Sequence, residues 1–176
     1  KFKYAKRIRG IIKIYERLSK AVSKVVKKDH QFPIVLAGDH STAGGTIAGI
    51  KSAYPDEILG VIWIDAHADL HSPFTTPSGN IHGMPLATAL AEDNLEVQSN
   101  ALDEKTIELW ERLKQSGGVS PKISYRDLIY IGVRDTESQE DHLIAKNQVK
   151  NISTKELRQK GVEEIITEVF DYLAHC

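Results

Sequence analysis

The stretch Ile58-Leu59-Gly60-Val61-Ile62-Trp63-Ile64-Asp65-Ala66-His67-Ala68-Asp69 decides how this chain is read. Its apolar half, Ile58 to Ile64, is β-branched and almost uninterrupted, the pattern of a central parallel strand covered on both faces. Its polar half sets Asp65, His67 and Asp69 on alternating positions directly after that strand. Alternation in extended backbone aims all three side chains to one side.

Working outward, the chain alternates between strand-like and helix-like segments. Ile8, Ile11, Ile12, Tyr15, Leu18, Val22, Val25 and Val26 recur at spacings of three and four, with lysines and arginines between them, and predict a long amphipathic helix. Ile34-Val35-Leu36-Ala37 after Pro33 reads as a buried strand. Gly38 to Ser41 then reads as a turn, with Ser41 or Thr42 capping a helix that runs to about Tyr54. Further helices are expected from His82 or Gly83 to about Ala91, over roughly Asp103 to Gln115, and from about Val162 to Leu173. Strands are expected at Leu128 to Gly132 and near Val149. This alternation predicts an α/β fold, a doubly wound, mainly parallel sheet with helices on both faces. Ligands in such folds bind beyond the carboxyl ends of the strands, so the residues that follow each strand are the ones to weigh.

Two strand ends carry the chemistry. The first expected strand runs into Gly38-Asp39-His40-Ser41, the next into Asp65-Ala66-His67-Ala68-Asp69. Carboxylates and imidazoles gathered at one strand edge need a cation to offset their charge and desolvation. His40, Asp65, His67 and Asp69 make an oxygen-and-nitrogen donor set without thiolate. Such a set suits Mn2+, Fe2+, Co2+ or Zn2+, and its carboxylate weighting favours manganese. Asp39 reads as a turn-forming or orienting carboxylate behind a ligand histidine. A third element, Thr75-Thr76-Pro77-Ser78-Gly79-Asn80-Ile81-His82-Gly83-Met84-Pro85, is an irregular loop. Ser78, Asn80 and His82 offer it hydrogen-bonding groups, for a ligand or for capping the next helix.

Other residues read as structural. His30, His142 and His175 stand singly among charged neighbours, as surface histidines do. Trp110 and Leu113 fall at helical spacing, as core. Gly44-Gly45 lacks the lysine and the further glycines of a nucleotide-binding loop. Cys176 lacks the setting of a nucleophile.

Composition bounds the rest. The 176 residues carry 23 Lys and Arg against 24 Asp and Glu, a net charge of −1, which removes the electrostatic drive toward nucleic acid or anionic membranes. No apolar run approaches the roughly 20 residues that span a bilayer. A single cysteine cannot form an internal disulfide; with no signal-peptide pattern at the start, the expected location is the cytoplasm.

The ordered motifs Gly38-Asp39-His40-Ser41, Asp65-Ala66-His67-Ala68-Asp69 and Ser78-Gly79-Asn80-Ile81-His82-Gly83 resemble the ureohydrolase family of arginase, agmatinase and formimidoylglutamase. The loop looks most like that of arginase, and Arg134-Asp135 matches a further family element. The resemblance implies two Mn2+ ions per complete site. Asp65 would bridge them, His40 and Asp69 would bind one, and His67 would bind the other. His82 would deliver or shuttle the proton that the departing amine needs. Ser78 and Asn80 would hold a substrate α-carboxylate, with His71 where arginases commonly carry asparagine. Glu137 would hold the α-ammonium, where an aspartate is often found.

The implied reaction is hydrolysis of a guanidino C–N bond, most simply L-arginine to L-ornithine and urea. The alternatives are the agmatinase or formimidoylglutamase reaction, or a non-catalytic truncated relative. A small guanidino molecule is the expected partner, and a homotrimer or homohexamer the expected assembly. The family's remaining ligands lie in an Asp-x-Asp motif that residues 1–176 do not contain. The chain opens on Lys1, and its one methionine is Met84. The expectation is therefore a single ureohydrolase-like domain over 1–176, cut at both ends, that binds metal weakly by itself.

Overall fold

A computed structural model of the protein describes residues 2–27 and 31–176, so His30 lies outside the described residues. The chain folds as two compact units, Lys1–Asp56 with Asp69–Lys122 and Glu57–Ala68 with Ile123–Cys176.

The first unit is helical. It contains α1 (Ile8–Lys27), α2 (Ala43–Ala53), α3 (Pro85–Leu90) and α4 (Glu104–Lys114). α1 forms where its periodicity predicts, burying Ile8, Ile12, Tyr15, Ser19 and Val22 while its basic residues face outward. Ile8, Ile12 and Tyr15 share a core with Met84, Trp110 and Leu113, so Trp110 and Leu113 are core residues as expected. The indole Nε1 of Trp110 donates to Asp93 Oδ1 at 2.7 Å, which satisfies its one polar group. Asp103 caps α4 by accepting from Thr106 N at 2.8 Å. α2 reaches α1 through its glycines. A Cβ on Gly44 would collide with the Tyr15 hydroxyl and stand 2.6 Å from Thr88 Oγ1, and one on Gly49 would stand 2.7 Å from Val22 Cβ. The glycine pair serves close helix packing.

The strand expected over Ile34–Ala37 does not form: residues 31–37 are irregular, and Leu36 is 94 % exposed. A strand requires a neighbour to take its backbone hydrogen bonds, and among the described residues none pairs with this segment.

The second unit holds β1 (Val61–Ile64), β2 (Leu128–Ile131) and β3 (Lys150–Ile152), with α5 (Ser138–Lys146), α6 (Thr154–Lys160) and α7 (Val162–Tyr172). The sheet is wholly parallel in the order β1-β2-β3, with Val61 opposite Leu128 and Ile129 opposite Lys150. The fold class is therefore α/β, as the alternation predicts. Ile129, Ile131 and Ile152 pack against Ile165, Val169 and Leu173 of α7 and its end. β1 departs from expectation. It is an edge of the described sheet, not a central strand, and Ile64 is 73 % exposed. α5 and α6 were not anticipated, though Ser153 and Glu156 form a reciprocal cap at the start of α6.

Two predictions follow from this packing. Gly44→Ala should cost about 1–3 kcal/mol through overpacking against Tyr15, read as a lowered melting temperature. Lys150 and Lys160 donate to Glu168 at 2.7 and 2.6 Å and pull its carboxyl down to about 2 from 4.5. A depressed carboxyl stabilises above the unfolded value and loses that contribution as pH falls toward the folded one. Glu168→Gln should therefore flatten the fall in stability between about pH 4.5 and 2, checked by denaturation across that window.

Candidate metal centre

In the first unit, Gly38-Asp39-His40-Ser41 forms a tight turn. Asp39 Oδ1 accepts from Ser41 N at 2.9 Å and from the Ser41 hydroxyl, capping the short 3-10 turn His40–Thr42. Those hydrogen bonds hold the Asp39 carboxyl below its ordinary range, with the charges of His82 and His40 acting in the same direction. Asp39 is thus the turn former that the sequence suggested.

The turn presents His40 to Asp69. Asp69 adopts a left-handed backbone, φ 52°, and its carbonyl accepts from Leu86 N at 3.2 Å. Its Oδ2 lies 2.9 Å from His40 Nδ1, with the imidazole side chain 42 % exposed and the carboxylate 8 %. That oxygen is buried and makes no hydrogen bond among the described residues. Two ligand atoms about 2.1 Å from one cation and at right angles lie about 3 Å apart. A buried carboxylate oxygen at that spacing from an imidazole nitrogen, outside hydrogen-bond geometry, fits joint coordination of a divalent ion.

In the second unit, the hydrogen-bond ladder continues past the strands. Asp65 N donates to Ile131 O at 3.3 Å, and the amides of Arg134 and Asp135 both donate to Ala66 O, at 2.9 and 3.0 Å. Tyr130 Oη reaches Ala68 O at 2.8 Å. This lacing fixes the loop that carries Asp65 and His67. Asp65 Oδ1 accepts from His67 N at 3.0 Å, His67 Nδ1 stands 3.3 Å from the same oxygen, and His67 Nε2 lies 3.5 Å from Asp135 Oδ2. Asp135 is the residue that sequence reasoning left without a role. Its signal was its place just past β2, the parallel neighbour of β1.

His82 sits exposed on a 3-10 turn, Ile81–Gly83. Ser78 is exposed, and its hydroxyl accepts from Asn80 N at 3.2 Å, ordering the half-buried Asn80. His71 is buried, with Nδ1 3.1 Å from Thr75 Oγ1 and its amide donating to Gly83 O at 3.0 Å. Glu137 is exposed at the start of α5, its amide donating to Glu140 Oε2 at 3.2 Å.

His142 is half-buried. His175 is exposed at the surface as expected, and its Nε2 pairs with Asp127 Oδ1 at 3.0 Å. Burial pushes the Cys176 thiol up, away from nucleophile chemistry.

A parallel α/β sheet with imidazole and carboxylate groups past the carboxyl ends of its strands defines an α/β protein whose donor set could hold a metal. Comparison narrows the class. The Arginase family model matches residues 5–176. The chain is 37 % identical over 171 residues to an arginase of Bacillus subtilis (strain 168), covering 97 % of this chain and 51 % of that protein. A 1.7 Å crystal structure of Bacillus subtilis arginase superposes with TM-score 0.81 at 36 % identity, over 98 % of this chain and 54 % of that one. Entamoeba histolytica arginase, solved with L-ornithine, superposes with TM-score 0.78 at 26 % identity, over 98 % and 52 %. The chain belongs to the arginase family. It spans about half the length of the curated relatives it matches.

Asp39→Ala should cost about 1 kcal/mol by removing the cap that orients His40, whereas Asp39→Asn should retain most of it. Thermal unfolding of the two variants side by side checks this.

Proposed function

We infer that this chain carries part of the ligand set of a binuclear manganese hydrolase that cleaves a guanidino C–N bond, with L-arginine giving L-ornithine and urea. The observation that carries the reading is the buried, hydrogen-bond-free Asp69 Oδ2 2.9 Å from His40 Nδ1. The donor chemistry supports it, being carboxylate and imidazole without thiolate. Asp65, four residues before Asp69 in sequence, and His67 would supply further metal ligands in this reading. Bound divalent ions supply the nucleophile by lowering the pKa of water toward neutrality. The arginase relatives, and the L-ornithine held by one of them, favour an amino-acid substrate.

This chain's residues then have distinct tasks. As water adds to the guanidinium carbon and the bond to the alkyl nitrogen breaks, the departing amine needs a proton. The exposed imidazole of His82 provides it. Ser78, Asn80 and His71 hold the α-carboxylate, and Glu137 the α-ammonium. Residues 1–176 act as one ureohydrolase-like domain of a cytoplasmic homo-oligomer, a trimer or hexamer. No described helix is long and apolar enough to cross a membrane.

A polypeptide of family length carrying these residues, loaded with Mn2+, should release urea from L-arginine in preference to agmatine. His82→Ala should lower kcat by about 10²–10⁴-fold while Mn2+ is retained. Formamide from a formimino substrate would select formimidoylglutamase, and a preference for agmatine would select agmatinase. No product from any guanidino or formimino compound would overturn the reading. The 176-residue chain alone, lacking an Asp-x-Asp pair, should turn over slowly or not at all.

A further inference from the structure

The second unit carries another convergent set of donors at the opposite edge of its sheet. Asp65, His67 and Asp135 follow the carboxyl ends of β1 and β2, whereas Asp127 and Gly60 precede the amino ends of the same strands. At that lower edge the Asp127 carboxylate, the His175 imidazole and the Cys176 thiol each offer a donor atom, all within 4.8 Å of one another.

The geometry separates two uses of such a trio. A nucleophilic cysteine would need the histidine to face sulfur with one nitrogen and the carboxylate with the other. Here both neighbours meet the same nitrogen: Nε2 lies 3.0 Å from Asp127 Oδ1 and 3.6 Å from Cys176 Sγ. No proton relay can run through that arrangement, but three donor atoms so close together suit a cation. Around tetrahedral Zn2+, sulfur and nitrogen ligands lie about 3.6 Å apart and nitrogen and oxygen ligands about 3.3 Å. The observed separations come within a few tenths of an ångström of these.

The donors are also held in place. The other oxygen of Asp127 accepts from Ser124 N and Oγ at 2.8 and 2.7 Å, leaving Oδ1 toward His175. Cys176 N donates to Leu173 O at 2.9 Å, and its sulfur packs over Gly60, where an added Cβ would stand 3.1 Å away. Arg126 Nε, 3.5 Å from Asp127 Oδ1, belongs to a largely exposed side chain that can turn to solvent when a divalent ion takes its place.

We propose that Asp127, His175 and Cys176 bind a zinc-class divalent cation, with water as fourth ligand, fastening the end of α7 to the start of β2. The donor set differs in kind from the oxygen-and-imidazole set at the other edge: thiolate selects Zn2+ or Co2+ over Mn2+. Binding exchanges the thiol proton, released to solvent, for a metal–sulfur bond.

Co2+ added to the 176-residue chain tests this, because a thiolate-to-cobalt charge-transfer absorption can come only from its one cysteine. The expected result is that absorption at one Co2+ per chain, independent of protein concentration and displaced by Zn2+. His175→Ala and Cys176→Ser should each weaken it by about tenfold or more, and Zn2+ should raise the melting temperature of the parent but not of these variants. An absent absorption, one unchanged in His175→Ala, or one that requires two chains per ion would overturn the proposal. His40→Ala should leave it intact, which separates this site from the manganese centre.

Discussion

The parallel pairing of β1 with β2 is the constraint on which the second unit depends. Val61 to Ile64 run in register with Leu128 to Ile131, and the ladder continues beyond both strands when Ala66 O takes the amides of Arg134 and Asp135. Because the strands run the same way, their carboxyl ends finish together, and so do the loops after them. Asp65, His67 and Asp135 are neighbours for that reason. An antiparallel pairing would have put Asp135 at the other end. The same pairing places Asp127 and Gly60 together at the opposite edge, where the proposed zinc-class site lies.

In the first unit a second device does comparable work. The Asp39 cap holds the turn that shows His40 to Asp69, and Asp69 meets it from a left-handed backbone that few non-glycine residues adopt. An unfavourable backbone and a buried carboxylate oxygen without a hydrogen bond both cost stability. A cation between Asp69 and His40 would offset the second of them.

Much of this was legible in the sequence, for identifiable reasons. α1, α4 and α7 bury one clear stripe each, so periodicity found them. His40, Asp65, His67 and Asp69 each follow an apolar run, which is why their position in the sequence singled them out. α6 has a single large apolar residue, Leu157, and its cap at Ser153 and Glu156 was the available signal. Ile34 to Ala37 looks like a strand by composition, but composition cannot supply a neighbour, and the segment stays irregular. The same limit explains β1, whose apolar run suggested a covered strand although it is an edge of the described sheet. Asp135 and the meeting of Asp127 with His175 depend on which segments lie side by side, which no local pattern reports.

The most direct test of the metal centre is an anomalous difference map from crystals of the protein grown with Mn2+. The account predicts a manganese peak bonded to both His40 Nδ1 and Asp69 Oδ2. A map without that peak, with His40 instead donating a hydrogen bond to Asp69, would contradict it.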